Sequence, residues 1–246
     1  GSFPISSLFV PFFDFLDVSS LIFIERFTWW FHILGILAFL NYVLISKHLH
    51  IFFAFPSTYY ANISNLGKFD NLKSVTNEVK LMLDPNADPF AAPQNTDSSN
   101  PTLFGAKDAS DLNWVQLLNA YSCTECGRCS SVCPANQTGK LLSPRKVMMD
   151  TRDRIEEIGK NKNANNYLLG NYITKEELWA CTTCNACTDA CPINLDPLSI
   201  IIDLRRYLVM EESAAPSELN NMFSNVENNG APWQFPAADR LKWTEE

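Results

Sequence analysis

At 246 residues, with 46% apolar side chains and a formal net charge of −8, the chain is long enough for one modest core and a second segment. The acidic balance, with no basic stripe to neutralise a phosphate backbone, excludes nucleic acid as a partner. The averages conceal a divide: residues 1–60 hold 17 of the 30 aromatic residues but only Asp14, Asp17, Glu25, Arg26 and Lys47 as charged groups.

No basic n-region or small-residue cleavage site precedes the first apolar run, so it does not read as a signal peptide. Gly1-Ser2 reads either as a tag scar or as the interior of a longer polypeptide. Residues 3–16 (FPISSLFVPFFDFL) are apolar but short and broken by Pro4 and Pro11, which suits an interfacial or re-entrant anchor. From Phe27 to Ile45 runs FTWWFHILGILAFLNYVLI, 19 residues without a charge. At about 1.5 Å of rise each, this nearly spans a hydrocarbon core, and a transmembrane helix is expected there. Trp29 and Trp30 are expected as interfacial anchors at one end, with Lys47 and His48 at the other. The basic end is expected in the cytoplasm of a prokaryote, the reducing side that free thiols need.

The histidines are His32, His48 and His50. On one continuous helix His32 and His50 would share a face about five turns apart, one near each membrane surface. Neutral imidazole is a common axial ligand of haem iron, and a histidine inside an apolar span is a functional candidate by default. His32 and His50 are therefore the candidate haem b ligands, each needing a second ligand from other membrane helices or subunits. A structural role stays open, with His32 bonded to a neighbouring helix and His50 at the interface.

Leu72, Val75, Val79, Met82 and Leu83 recur at helical spacing and predict a short amphipathic helix. Residues 84–110 carry Pro85, Pro89, Pro93 and Pro101 among Asn, Asp and Ser, and read as a linker. Beyond it the signals are helical, with strand signals nearly absent. Asp111 is expected to cap a helix ending near Tyr121, and Ser143-Pro144 to open a second whose inward face is Val147, Thr151, Ile155 and Ile158. Thr174 with Glu177 forms a capping box, Asp196-Pro197 starts a helix to about Glu212, and Ser217 to Gly230 forms another. The domains expected are a membrane segment (1–60), an amphipathic helix and linker (61–110), a helical cysteine-bearing domain (111–212) and a helical extension (213–246).

All eight cysteines lie in two aligned segments, CTECGRCSSVCP from Cys123 and CTTCNACTDACP from Cys181. Both read C-x2-C-x2-C-x3-C-P. Three cysteines at intervals of three can wrap one corner of a cubane, while the fourth ligates the other cluster in two-cluster ferredoxins. This predicts two [4Fe-4S] clusters, one on Cys123, Cys126, Cys129 and Cys191, the other on Cys181, Cys184, Cys187 and Cys133. Zinc favours paired C-x2-C knuckles with a long spacer, and a disulfide framework does not suit a reducing compartment. Arg128, Lys140, Arg145 and Lys146 surround the first motif while the second has Asp189, so the first cluster is expected to have the higher potential.

WWFHILGILAFLNY with SKHLH resembles the last membrane helix of the nitrate reductase gamma-subunit-like cytochrome b domain. The doubled cysteine motif resembles the iron-sulfur half of heterodisulfide reductase-like proteins. Together they resemble membrane-bound (Fe-S)-binding oxidoreductases related to heterodisulfide reductase iron-sulfur subunits and to the corresponding part of anaerobic glycerol-3-phosphate dehydrogenase. The resemblance implies a mainly α fold, in which a transmembrane helix and linker precede an alpha-helical ferredoxin-like domain. It also implies haem b at His32 and His50 and electron transfer linked to quinone, with a flavoprotein or dehydrogenase as donor. Members of that family carry further membrane helices before such a segment and CCG-containing modules after it. The chain is therefore expected to be a fragment, or to obtain those parts from partners. Two other readings are a structural or regulatory iron-sulfur docking module and a fragment of a heterodisulfide reductase-type catalytic protein.

Overall fold

The computed structural model of the protein describes residues 3–63, 67–84, 103–160 and 165–244. They are helical without a named strand, and the chain divides into two units, Gly1–Phe52 and Phe53–Glu246.

In the first unit the short helical pieces Pro4–Ser7 and Val10–Phe12 lead to a helix over Val18–Ile45. Asp17 starts it early: its carboxylate accepts from the Ser19 N–H at 3.2 Å and the Ser20 hydroxyl at 2.6 Å, satisfying donors of the first turn. The helix thus begins before the uncharged run and includes Glu25 and Arg26. Trp29 and Trp30, packed edge to face at 4.8 Å, lie within it rather than at its end. Its most apolar stretch is only 6% buried, and it alone among the described residues is long and apolar enough to cross a membrane. A helix apolar on every side, with only Val43 buried, has the composition of a lipid-facing element.

The helix stops at Ile45, as expected from the end of the uncharged run, and the continuous helix that would align His32 with His50 does not form. Ser46 is extended (φ −111°, ψ 167°), and its side chain accepts from the His48 N–H at 3.2 Å. Serine offers its own backbone an alternative partner and so ends one helix while capping the next turn. After a single 3-10 turn, Lys47–Leu49, a new helix begins at His50 and runs to Tyr59. His32 and His50 therefore do not share one helix, and the five-turn register between them does not hold.

The second unit is built on the helices Trp114–Ser122, Pro144–Gly159 and Pro197–Met210. Leu204, Leu208, Ile200, Ile201, Met148, Leu168 and Leu178 close its core. Ser143, Thr174 with Glu177, and Asp196 cap helices as expected, and Gly230 (φ 65°) ends Ser217–Asn229. The Trp114 helix is instead capped by Asn113, in a reciprocal pair with Gln116. Asp111 serves the preceding turn, Ala109–Asp111. On the Pro144–Gly159 helix Ile158 faces outward, and Arg154 is buried in addition to Val147 and Thr151.

Arg154 is inward because a carboxylate meets it. Its guanidinium donates to Asp108 at 2.7 Å and to Glu157 at 2.8 Å, and Glu157 also accepts from the Tyr172 hydroxyl at 2.8 Å. Asp108 lies in the last part of the expected linker, so residues 103–110 belong to the folded unit. Most of the rest of that linker, residues 85–102, lies outside the described residues. Gly105 makes the docking possible. At φ +89° it lies so close to the Pro197–Met210 helix that a Cβ would come within 2.3 Å of the Asp203 carbonyl, whose oxygen accepts from the Ala106 N–H at 3.0 Å.

Burial pushes the Asp108 carboxyl up. The bonds from Arg154 and from the Ala109 and Leu168 N–H groups outweigh that and hold it below its ordinary value. Asp108→Ala is expected to destabilise the protein by about 3 kcal/mol, since it strips a buried guanidinium of a principal partner. A lowered carboxyl pKa contributes stability that is present above about pH 4 and lost as pH falls through the folded value. Denaturant titrations of both forms should therefore differ at neutral pH and converge in acid.

Candidate metal centres

The two cysteine loops share one backbone. In the first, Glu125 (φ 59°) and Gly127 (φ 81°) are left-handed, and in the second Thr183 (φ 55°) and Asn185 (φ 60°) occupy the same positions. Each loop then enters a single helical turn, Arg128–Ser131 or Ala186–Asp189. The third cysteine lies in that turn, and the fourth follows just before a proline. Glycine adopts a left-handed φ freely and asparagine with little penalty, whereas glutamate and threonine need support. The Glu125 carboxylate accepts from Arg152 at 2.6 Å, and the Thr183 N–H donates to the Cys181 sulfur at 3.4 Å.

Two cavities open beside these loops. Cys123, Cys126, Cys129, Cys187 and Cys191 line the first, of about 80 Å³. Cys133, Cys181, Cys184 and Cys187 line the second, smaller one. The last cysteine of each motif is thus brought to the cavity formed by the other motif's first three. Cys187 borders both, so the cavities are neighbours. Cys126 and Cys184, at equivalent positions, are exposed, while Cys133 and Cys187 are buried.

The electrostatics follow the same grouping. Burial pushes the Cys123 thiol up, and the sulfurs of Cys129 and Cys191 add to the effect. Cys181 is raised by burial and then by Cys133 and Cys184, and Cys187 is pushed up to about 12, chiefly by burial. Bare thiolates are therefore disfavoured, and the cavities suit a cationic centre that takes thiolates outright. Among the described residues no three His, Cys, Asp or Glu side chains converge tightly enough to hold a single ion. The sulfurs line the two cavities in groups that include the four-thiolate donor set an iron-sulfur cluster takes. None of His32, His48 and His50 lines either cavity, and all three belong to the first unit.

Charge around the two motifs is not distributed as residue counting suggests. Arg128, Lys140 and Arg145, near the first motif, are exposed. Lys146 is committed to Asp150 at 2.8 Å, Glu177 at 2.9 Å and the Tyr172 carbonyl at 2.8 Å. The second motif has a cation of its own in Arg205, which sequence reading missed. Its Nε donates to the Leu178 carbonyl at 3.0 Å and its Nη2 to the Cys181 carbonyl at 2.6 Å. Its guanidinium lies 4.9 Å from the Trp179 ring centre. The signal was helical spacing: Leu198 and Ile201, which line the second cavity, place Arg205 one turn further along the same face.

Residues 119–195 match the family of the 4Fe-4S dicluster domain. The chain is 32% identical to the probable iron-sulfur-binding oxidoreductase FadF of Bacillus subtilis, over 89% of this chain and 33% of that protein. It is 28% identical to the EtfAB:quinone oxidoreductase of Syntrophomonas wolfei, over 99% of this chain and 34% of that protein. To a probable membrane-anchored ferredoxin of Chromohalobacter salexigens it is 30% identical, over 57% of this chain and 24% of that protein. A CoB-CoM heterodisulfide reductase subunit of Methanosarcina acetivorans also matches, over 40% of this chain and 52% of that protein. The chain spans about a third or less of the length of the first three.

The left-handed loop positions differ in what they tolerate. Gly127→Val is expected to cost about 1–2 kcal/mol through its positive φ alone. Iron retention and melting temperature should both fall. Asn185→Gly, which keeps the conformation accessible, should leave both close to those of the unaltered protein.

Proposed function

With the chain belonging to the heterodisulfide reductase-like iron-sulfur oxidoreductases, we propose that it is a membrane-anchored electron relay. Two [4Fe-4S] clusters link a reduced flavoprotein or dehydrogenase to haem b and the quinone pool. The observation that carries this reading is the adjacency of the two cysteine-lined cavities, which meet at Cys187. Cys123, Cys126, Cys129 and Cys191 would hold one cluster, and Cys181, Cys184, Cys187 and Cys133 the other. Bound clusters supply reversible one-electron transfer. The chain's own residues fix the sulfurs, while Met148, Ile193, Leu195 and Pro197 give the first cavity apolar walls. The exposed Cys126 and Cys184 mark the edges where electrons enter and leave. Two adjacent centres suit conduction better than docking, for which one would suffice.

The membrane part of the proposal rests on the Val18–Ile45 helix, and the quinone on what the Syntrophomonas relative's name says of that protein. The iron-sulfur unit is assigned to the cytoplasmic side of a prokaryotic inner membrane, where thiols stay reduced. His32, inside the apolar helix, and His50, beyond the break at Ser46, are separate haem b candidates that need partner ligands from other helices or subunits.

Anaerobically purified protein should contain about eight irons and give interacting paramagnetic signals on reduction with dithionite. Crossed ligation makes a sharper demand: Cys191→Ser should perturb the same signal as Cys126→Ser, and Cys133→Ser the same signal as Cys184→Ser. Pairing within each motif instead would refute the crossed assignment. Haem is tested separately, by a Soret band in the membrane complex that is lost in His32→Ala.

A further inference from the structure

The internal repeat makes the two cysteine loops nearly equivalent in backbone. Of the charged residues inside them Arg128 and Asp189 are exposed while Glu125 is paired with Arg152, so a buried charge difference between the centres lies outside the motifs. Three observations locate one. Arg205 approaches the second loop from the Pro197–Met210 helix and donates to the carbonyl of Cys181, itself one of that cavity's cysteines. It is partly buried, against the Trp179 ring and the Leu178 carbonyl. Among the described residues, no carboxylate lies within ion-pair distance of it, whereas neighbouring Arg206 is paired with Asp203 at 2.9 Å.

The cations around the first loop are different in kind. Arg128, Lys140 and Arg145 are exposed, so water and salt screen them. Lys146 is offset by two carboxylates, and Arg152, which bears on Cys123, is offset by Glu125 at 2.6 Å and Asp153 at 3.7 Å. A charge held at a partly buried site acts through a lower effective dielectric and reaches further than a screened one. Asp196 bears on Cys187 and opposes Arg205 at the second centre. Its carboxylate, however, is engaged by the Thr188 hydroxyl at 3.2 Å and the Ser199 N–H at 3.0 Å, whereas the Arg205 guanidinium meets no carboxylate among the described residues.

We infer that Arg205 is the potential-setting residue of the second centre, making the cluster on Cys181, Cys184, Cys187 and Cys133 the more easily reduced of the two. Adding one electron makes a cluster more negative, and a fixed guanidinium beside a ligand favours that state. Guanidinium remains protonated throughout the accessible pH range, so the bias does not vary with pH. This ordering opposes the one suggested by counting basic residues around the motifs, and it rests on the two-cluster reading above.

The test is a redox titration of the holoprotein followed by paramagnetic resonance, with iron and sulfide counted on every sample. The second centre's signal is identified as the one perturbed by Cys184→Ser. Arg205→Gln is expected to reduce the ratio of reduced to oxidised second centre about tenfold at fixed potential, a shift of about 59 mV for one electron. The first centre should move much less. Arg205→Lys, which keeps the charge and is the milder change, should recover at least half the shift. Arg145→Gln should move the first centre less than Arg205→Gln moves the second. Unchanged midpoints in Arg205→Gln at full iron content, or an equal effect from Arg145→Gln, would overturn the inference. Fewer than about eight irons in the unaltered protein would instead sink the two-cluster reading on which it stands.

Discussion

Everything in the second unit is arranged around a single electrostatic difficulty, the gathering of eight sulfurs into two adjoining apolar spaces. Burial pushes the thiols of Cys123, Cys129 and Cys181 toward protonation, and that of Cys187 up to about 12. Positive charge from bound iron is what makes thiolates acceptable there. The helices supply the scaffold, and the metal supplies the reason for the loops to stay closed on one another. Cofactor binding, which requires the loops closed and the thiols deprotonated, favours the folded form of the cysteine-bearing part.

The repeat imposes near-symmetry on the loops, down to matched left-handed residues at Glu125 and Thr183 and at Gly127 and Asn185. What breaks the symmetry arrives from elsewhere in the chain. Arg152 reaches Glu125 from the Pro144–Gly159 helix, while Arg205 reaches Cys181 from the Pro197–Met210 helix. One guanidinium is neutralised by a carboxylate and the other meets carbonyl oxygens. A duplicated motif can thus hold two unlike centres without any change to its own ligands.

Much of this was legible in the sequence because it depends on local chemistry. Cysteine spacing, the prolines behind each motif, the Ser143, Thr174 and Asp196 caps and the glycine stop at Gly230 are all short-range signals, and the helices follow them. What was not legible depends on partners distant in sequence. Ala106 and Asp108 look like linker until Arg154 and the Asp203 carbonyl are brought to them. Arg205 looks like a surface residue until the Leu178 and Cys181 carbonyls meet it. Two misreadings were local. Asn113 rather than Asp111 caps its helix because Gln116 answers it. At Ser46 a run of helix-compatible side chains hid a hydroxyl that competes for the backbone.

The position of Cys187 has a consequence for robustness. A side chain that forms part of the wall of both cavities ties the geometry of one lining to the other, so a change at that sulfur alters two linings at once, whereas a change at Cys126 or Cys184 touches one. The burial of Cys187, deeper than that of the exposed Cys126 and Cys184, is what shields the shared wall.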